Sequence, residues 1–209
     1  MNISWLGHSC FRIAGREVTV VTDPFSPTLG SLGKAMADIV TVSHQHEGHA
    51  YVQGIGGEPR LVAGPGEYEI NGVLIIGIAT YHDTEGGRQR GKNTVYLMEV
   101  DGVSVCHLGD LGHVLATRQV EELGSVDVLL LPVGGVSTID APMAAEVVRQ
   151  LNPRVVIPMH YQIPALNRTL EPVDRFLKEI GVKEINSQTK LSFTKPSLPD
   201  NTQVFLLEY

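Results

Sequence analysis

Three histidines lie within six positions of the chain, at His44, His46 and His49. They follow an apolar run with period-two alternation, and this pattern predicts one strand over residues 39–46. In such a strand His44 and His46 share one face, and Gly48 lets the chain turn so that His49 points back toward them. Neutral imidazole nitrogens that converge on one point suit a borderline cation such as Zn²⁺. The alternative is three unrelated surface or core histidines, but the close spacing favours a metal site.

Other apolar runs also end in a metal-binding or acidic side chain. The runs that share this feature end at Asp23, His44, His82, Asp110 and His160. Ligands in sheet proteins collect at the carboxyl ends of strands, where rigid backbones aim side chains into a common crevice. We therefore expect these residues to lie together at one edge of the fold.

Strands dominate the first half of the sequence, and strands alternate with helices in the second half. The apolar patterns predict strands over 3–6, 10–13, 18–22, 39–46, 61–63, 73–81, 94–100, 103–108, 126–131 and 155–157. Helices are predicted over 115–123, 140–151 and 172–180, and Asp101-Gly102 signals a tight hairpin. This order predicts helices packed outside sheets, in a layered α/β or α+β arrangement.

The composition is that of a soluble globular protein, with 43% hydrophobic and 19% charged residues. The length predicts one domain over residues 1–209. A formal charge of −7 argues against nucleic-acid binding and nuclease activity, because no basic stripe is present to contact phosphates. Without a signal-peptide pattern, or an apolar run near the ~20 residues of a membrane span, we expect a cytoplasmic protein. Cys10 and Cys106 lie in apolar runs and are expected to be buried thiols, which suits a reducing compartment.

Short motifs along most of the chain resemble, in order and spacing, the metallo-β-lactamase superfamily. They are Trp5-Leu6-Gly7-His8-Ser9, Asp23-Pro24-Phe25, His44-Gln45-His46-Glu47-Gly48-His49, His82-Asp83, Gly109-Asp110-Leu111-Gly112-His113, Leu131-Pro132-Val133-Gly134-Gly135 and Pro158-Met159-His160-Tyr161. More narrowly, they are similar to a branch of small zinc-dependent hydrolase-like proteins related to L-ascorbate-6-phosphate lactonases. The resemblance implies an α/β (α+β) fold, the four-layer αβ/βα sandwich, with a metal site along one edge.

The resemblance also implies ligands for one or two metal ions, with Zn²⁺ expected and Mn²⁺ or Fe²⁺ as alternatives. By position, the first ion would be held by His44, His46 and His82, the second by His49 and His160, and both would be bridged by Asp110. A metal-bound water whose pKa falls from 15.7 to about 7 supplies a hydroxide nucleophile, and Asp110 and His49 are the implied catalytic residues. Asp23 matches an early aspartate that orients a ligand imidazole, with a strand-end cap before Pro24 as the alternative.

The sequence departs from the superfamily at Gly48. The superfamily pattern is His-x-His-x-Asp-His, and Gly48 stands where the aspartate that ligates the second metal is expected. The second site would retain His49, His160 and the shared Asp110, so we expect it to bind its ion more weakly. Glu47 has a longer side chain one position earlier, but in an extended chain it starts from the opposite face.

Further polar residues are candidates for lining the site or contacting a substrate. His8 either lines the site or is a satisfied structural histidine. His113 lies either beside the site or in an exposed loop, and Tyr161 either covers the site or packs. Arg88 and Arg90 belong to the main basic cluster of this acidic chain and could receive a phosphate or carboxylate. The alternative for these arginines is a solvated hairpin loop.

These features predict a metal-dependent hydrolase that uses a metal-bound hydroxide on a small anionic ester, lactone or phosphoester. We expect a small-molecule substrate, and neither nucleic acid nor a membrane as partner. The alternative is a metal-binding but catalytically impaired member that acts as a binding or regulatory module, because Gly48 replaces the usual aspartate. The remaining ligands favour the enzyme.

Overall fold

Fifteen strands and three α-helices make up the part of the chain that the computed structural model describes, residues 1–164 and 169–209. The strands are β1 (Asn2–Gly7), β2 (Cys10–Ala14), β3 (Thr19–Thr22), β4 (Ile39–Val42), β5 (Arg60–Ala63), β6 (Gly66–Ile70), β7 (Val73–Tyr81), β8 (Lys92–Val100), β9 (Val103–His107), β10 (Val128–Pro132), β11 (Val155–Met159), β12 (Ser187–Gln188), β13 (Leu191–Ser192), β14 (Gln203–Val204) and β15 (Leu206–Leu207). The helices are α1 (Thr117–Leu123), α2 (Ala141–Leu151) and α3 (Val173–Glu179).

Two large sheets form the body of the molecule. The first has the strand order β13-β1-β2-β3-β4-β5, and the second has the order β14-β11-β10-β9-β8-β7-β6. Strands β12 and β15 form a small parallel pair of their own. In the second sheet β9, β10 and β11 are parallel, and helices α1 and α2 make the connections between them. The predicted alternation of strands and helices in the second half of the chain is therefore confirmed.

The first sheet is covered on both faces, and its period-two pattern shows how. Val20 and Ile39 belong to the large apolar core that the first sheet shares with the second. Their neighbours Val21 and Val40 point the other way, into a smaller cluster that includes Phe25 from the loop after β3. Because successive strand residues face opposite sides, these mostly apolar strands are buried on both sides. The segments that follow β3 and β4 supply the outer cover.

One predicted strand is wrong in its extent: the run over 39–46 ends at Val42, so His44 and His46 lie in a loop. The strand ends because the backbone N–H of Ser43 donates to the Asp23 carboxylate at 2.7 Å. The chain then turns, and the N–H of His49 donates to the carbonyl of His46 at 3.0 Å. The convergence of these histidines therefore depends on a turn rather than on one strand face.

Local signals in the sequence are confirmed at the hairpin and at the second helix. Asp101 and Gly102 join β8 to β9 with φ of 53° and 77°, the left-handed pair that a tight hairpin turn requires. At the start of α2, Asp140 accepts a hydrogen bond from the N–H of Met143 at 3.0 Å, and Pro142 occupies the first turn. Each element begins where its sequence signal indicates.

Among the described residues, none of the helices is long and apolar enough to cross a bilayer. Cys10 and Cys106 are buried free thiols, as predicted. Burial raises the pKa of both thiols above the usual range, so neither is a reactive thiolate.

Candidate metal centre

The candidate site lies where six strands of the two sheets end at one edge. Strands β1, β3 and β4 run in the same direction, because β2 is antiparallel to both β1 and β3, and β3 is parallel to β4. In the second sheet β7, β9 and β11 also share one direction. The side chains that follow these strand ends are His8, Asp23, His44, His82, Asp110 and His160. The expected grouping of polar strand ends at one edge is therefore present.

Hydrogen bonds between the two sheets fix this edge. The N–H of His160 donates to the carbonyl of His8 at 3.1 Å, and the N–H of Thr94 donates to the carbonyl of Ser43 at 2.9 Å. The Tyr96 hydroxyl donates to the carbonyl of Val42 at 2.9 Å. These bonds join the ends of β1 and β4 to the second sheet, so the polar side chains of both sheets are held at fixed separations.

The carboxylate of Asp110 lies at the centre of the site. Its Oδ2 atom lies close to the Nε2 atoms of four histidines: His49 at 3.1 Å, His82 at 3.2 Å, His160 at 3.4 Å and His44 at 4.0 Å. Asp110 is only 3% exposed. Four imidazoles from three loops, those after β4, β7 and β11, therefore converge on one buried carboxylate oxygen.

A second buried carboxylate, that of Asp23, holds one of these imidazoles from behind. Its Oδ2 atom lies 2.8 Å from Nδ1 of His49, whose other ring nitrogen faces Asp110. Ser43 donates to the same carboxylate twice, from its N–H at 2.7 Å and from its hydroxyl at 2.6 Å. A carboxylate that accepts a hydrogen bond from the Nδ1–H group fixes the orientation of the ring and leaves Nε2 free to bind a metal.

The charges of the metal-free site centre on His49. Burial opposes protonation of His49, but the carboxylates of Asp110 and Asp23 outweigh burial and raise the pKa of His49 to about 10. Burial, with the nearby charge on His49, lowers the pKa of His44 to about 3. Burial likewise lowers the pKa of His160. At neutral pH His49 therefore carries a proton on each ring nitrogen, one facing Asp23 and one facing Asp110, while His44 and His160 are neutral and offer lone pairs.

The donor set fits a divalent cation. Three groups of ligand atoms lie within 4.8 Å of one another: His44, His82 and Asp110; His44, His46 and His49; and His8, His49 and His160. The Nε2 atoms of His44 and His160 are buried and have no hydrogen-bond partner among the described residues. Buried polar atoms are normally satisfied, so unpartnered imidazole nitrogens around a carboxylate indicate ligands for a cation.

Three of the residues at this edge have strained backbones. His8, Asp23 and His160 have φ values of 54°, 40° and 51°. Residues other than glycine rarely adopt this left-handed backbone conformation, and such strain is concentrated at functional sites. Next to His160, a Cβ added to Gly134 would lie 2.0 Å from the His160 carbonyl oxygen, so only glycine fits there. The backbone is thus distorted where it aims these side chains.

The remaining histidine and glutamate candidates differ in exposure and in their hydrogen bonds. His46 is exposed, and its Nδ1 atom accepts a hydrogen bond from the N–H of Gly48 at 3.2 Å. Glu47 is also exposed and belongs to none of the potential ligand groups of the described residues. His113 accepts from the N–H of Tyr81 at 3.2 Å and donates to the carbonyl of Val114 at 2.8 Å, so it braces a loop.

Tyr161 packs in the core instead of covering the site: its ring lies 5.2 Å from that of Trp5, and it is 7% exposed. Burial raises the pKa of Tyr161 to about 12. Of the two interpretations left open by the sequence, the structure favours packing.

The basic loop after β7 is held by an aspartate whose role the sequence did not indicate. The Asp83 carboxylate accepts from four backbone N–H groups, of Arg90 at 2.8 Å, Glu85 at 2.8 Å, Gly87 at 2.9 Å and Gln89 at 3.0 Å. The N–H of Arg90 and the other three donors lower the pKa of Asp83 to about 2. The glycines that follow Asp83 were the sequence signal for this turn, because an aspartate side chain often accepts hydrogen bonds from the backbone of the turn that follows it.

Within this loop the two arginines differ in position. Arg90 lines a cleft of about 520 Å³ beside His44 and a second cleft of about 210 Å³ beside His82. Its guanidinium donates to the carbonyl of Val136 at 3.1 Å. Arg88 is exposed and lines neither cleft.

Two buried polar residues support Asp110 and were not identified from the sequence. The side-chain oxygen of Asn93 accepts from the N–H of Asp110 at 3.0 Å, and its amide nitrogen donates to the carbonyl of Leu108 at 3.0 Å. The Ser9 hydroxyl donates to the other carboxylate oxygen of Asp110 at 3.4 Å. Both contacts join residues distant in sequence, so no local pattern could have revealed them.

Comparison with known proteins gives a consistent result. Residues 2–160 match the family model described as the Beta-lactamase superfamily domain. A UPF0173 metal-dependent hydrolase of Methanoculleus marisnigri is 33% identical over 204 residues, which cover 85% of this chain and 89% of that protein. A UPF0173 metal-dependent hydrolase of Thermoplasma volcanium is 32% identical over 77% of this chain and 83% of its own.

The solved structures agree with the sequence comparisons. A Thermotoga maritima protein of the metallo-beta-lactamase superfamily, described as a candidate Zn-dependent hydrolase, superposes with a TM-score of 0.83 at 42% identity. The match covers 99% of this chain and 97% of that one. A metallo-beta-lactamase fold protein of Bacillus subtilis has a TM-score of 0.63 at 10% identity over 98% and 95% of the two chains, and shows the fold alone. The expected layered α/β fold is confirmed.

Proposed function

Because this chain belongs to the metallo-β-lactamase superfamily, we propose that it is a metal-dependent hydrolase of a small anionic ester, lactone or phosphoester. The observation that carries the proposal is the set of four imidazoles around the buried carboxylate of Asp110. The first ion would be held by His44, His46, His82 and Asp110, and the second by His49, His160 and the same Asp110. A divalent cation bound there supplies Lewis acidity and activates water at neutral pH.

The protein residues around such an ion have separate tasks. His49 and Asp110 hold the proton of the metal-free site between them, so binding a cation at His49 must release that proton. Asp23 keeps the ring of His49 in place through its Nδ1 atom. Asn93 and Ser9 hold the Asp110 carboxylate so that its Oδ2 atom faces the imidazoles. These contacts preorganise the ligands before any ion or substrate arrives.

An anionic substrate is favoured by the position of Arg90. Arg90 lines both the cleft beside His44 and the cleft beside His82, and Lys92 lines the larger of them. Guanidinium groups bind carboxylate and phosphate oxygens in pairs. The Asp83 carboxylate holds the backbone of Arg90, which keeps this cation at the rim of the site. A phosphorylated lactone, in keeping with the resemblance to the lactonases, is one substrate that fits this description.

Zn²⁺ is the proposed ion, because an imidazole-rich site with one carboxylate suits it, and Mn²⁺ and Fe²⁺ are the alternatives. The Thermotoga maritima relative is described as a candidate Zn-dependent hydrolase. A cytoplasmic location is part of the proposal and is supported by the two buried free thiols.

The test is to load metal-free protein with each ion separately and measure hydrolysis of matched neutral and anionic substrates. Suitable probes are p-nitrophenyl acetate, a simple lactone, its phosphorylated counterpart and bis(p-nitrophenyl) phosphate. We expect turnover that chelators abolish and that His82→Ala reduces by at least about 100-fold. Hydrolysis that survives complete removal of metal would refute the proposal. Stoichiometric metal without turnover of any probe would favour the binding or regulatory module instead.

A further inference from the structure

The space beside Gly48 is occupied by another histidine. A Cβ atom built on Gly48 would lie 3.2 Å from Cε1 of His8, 3.4 Å from Nε2 of His8 and 3.3 Å from Nδ1 of His46. Gly48 does not have a left-handed backbone, so its backbone conformation does not exclude a side chain there. The edge of the His8 ring thus lies against the position from which an aspartate side chain would begin.

His8 is built into the site by its backbone. Its carbonyl accepts from the indole N–H of Trp5 at 3.0 Å and from the N–H of His160 at 3.1 Å. The first bond closes the turn after β1, and the second holds that turn against the end of β11. The φ of 54° directs the imidazole inward, and the residue is only 1% exposed. A strained backbone held on two sides fixes the ring position.

The His8 ring faces the two histidines proposed for the second ion. Its centroid lies 4.8 Å from that of His49 and 4.5 Å from that of His160, with interplanar angles of 75° and 84°. One ligand atom from each ring lies within 4.8 Å of the others. Nitrogens bound to one tetrahedral zinc lie about 3.4 Å apart, from Zn–N bonds of about 2.05 Å. Binding one ion at this place would require the three nitrogens to move from within 4.8 Å of one another to about that separation.

We infer that His8 is the third imidazole ligand of the second metal ion and takes the place of the aspartate that Gly48 lacks. This inference rests on the metal centre of the proposed function and deepens it. The second ion would be held by His8, His49 and His160 with the Asp110 carboxylate. Glu47, the other candidate, has an exposed side chain outside the ligand groups of the described residues. Glycine at position 48 then leaves space for the His8 ring, since a Cβ atom there would lie 3.2 Å from Cε1 of His8.

The experiment compares metal binding by the parent protein, His8→Asn, Gly48→Asp and the double variant. Asparagine is chosen because it tolerates positive φ as histidine does, so the turn after β1 is retained. His113→Asn serves as the matched control, since His113 only braces a loop. Zinc stoichiometry is measured after dialysis, and the two dissociation constants are obtained by chelator competition.

We expect the parent and His113→Asn to bind two zinc ions. His8→Asn should keep the first ion and bind the second at least about 100-fold more weakly, since loss even of groups that only orient a ligand costs 10–100-fold. In the double variant the smaller residue at position 8 makes room for the carboxylate, and the second ion should return. Gly48→Asp alone should increase the affinity for the second ion only slightly, because the Cβ atom of the new residue would lie 3.2 Å from the His8 ring.

Two readouts keep this inference separate from the proposed function. A parent protein that binds no metal contradicts the proposed function itself. A parent that binds two ions, with His8→Asn doing so at unchanged affinity, overturns only the ligand role of His8. Should His8→Asn fail to fold, NMR of the cadmium-loaded parent with isotope-labelled histidine decides. A scalar coupling between cadmium and a His8 ring nitrogen supports the inference, and its absence overturns it.

Discussion

Replacing Asp23 by asparagine tests how the centre is held. The Asp23 carboxylate is fully buried and accepts from His49 at 2.8 Å and from Ser43 at 2.6 and 2.7 Å. Asparagine can keep one acceptor oxygen, but its NH₂ group then faces a second donor. For His49 to bind metal through Nε2 its Nδ1 must carry a proton. Asparagine either opposes that proton with its NH₂ group or accepts it without a negative charge, while its NH₂ group meets the N–H of Ser43. Asp23→Asn therefore disfavours the tautomer that binds metal.

The size of the effect follows from these contacts. Loss of the carboxylate behind a ligand histidine weakens metal binding by about 10–100-fold, or roughly 1.4–2.7 kcal/mol. Breaking a buried ion pair costs about 3–5 kcal/mol. We expect Asp23→Asn to lower the free energy of unfolding of the metal-free protein by about 3 kcal/mol, the lower end of this range, because Asp110 still lies 3.1 Å from His49. In a chain of this length that corresponds to a fall in Tm of about 6–12 °C.

The assay pairs chelator competition with thermal unfolding, and Asp127→Asn is the control. Asp127 is also a buried carboxylate, 3% exposed, which accepts from the N–H of Ser104 at 2.8 Å and pairs with Lys195 at 2.6 Å. It lies outside the potential metal-ligand groups of the described residues. Asp127→Asn should lower Tm without changing metal affinity. If Asp23→Asn behaved in the same way as this control, the reasoning that Asp23 orients His49 would be refuted.

Three further experiments test other parts of the site. His46→Ala should weaken the first metal by at least about tenfold in chelator competition, and unchanged affinity would remove this exposed histidine from the ligand set. Arg90→Ala should raise KM for anionic substrates about tenfold while sparing neutral esters and metal content, whereas Arg88→Ala should leave both KM values unchanged, since Arg88 lines neither cleft. Gly134→Ala places a methyl group 2.0 Å from the His160 carbonyl oxygen, so calorimetry should show a loss of about 3 kcal/mol or more together with weaker metal binding. A stable Gly134→Ala protein with parental metal affinity would show that this loop moves freely.

The positions of most site residues could be predicted because strand ends carry a simple signal. Apolar runs with period two stop at polar residues, and parallel connections bring those stops to one edge. Asp23, His82 and His160 each follow the last residue of β3, β7 and β11. The same reasoning overextended β4, because the strand is ended by a hydrogen bond from Ser43 to Asp23, a contact across twenty residues that no local pattern reveals.

Other features depended wholly on tertiary contacts. Asn93 meets Asp110 only because β8 and β9 pair, and Ser9 meets it only because the two sheets pack together. Asp83 gains its role from the turn that follows it, where four N–H groups converge. The short strands near the end of the chain, such as β13, have two residues each and too few positions to show a period. Sequence periodicity therefore locates ligands better than it locates the residues that support them.

Gly48 links the proposed ligand set to the proposed substrate class through charge. A carboxylate at this position would cancel one positive charge of a two-metal centre, whereas the imidazole of His8 is neutral when it binds a metal. The centre assembled here would have Asp110 as its shared anionic ligand and would be one unit more positive than its counterpart with aspartate. Such a centre binds its second cation less tightly and attracts an anion more strongly. Arg90 adds positive charge at the rim of a chain whose net charge is −7, so the attraction is local to the site. The same substitution that leaves room for His8 therefore favours a phosphate or carboxylate on the substrate.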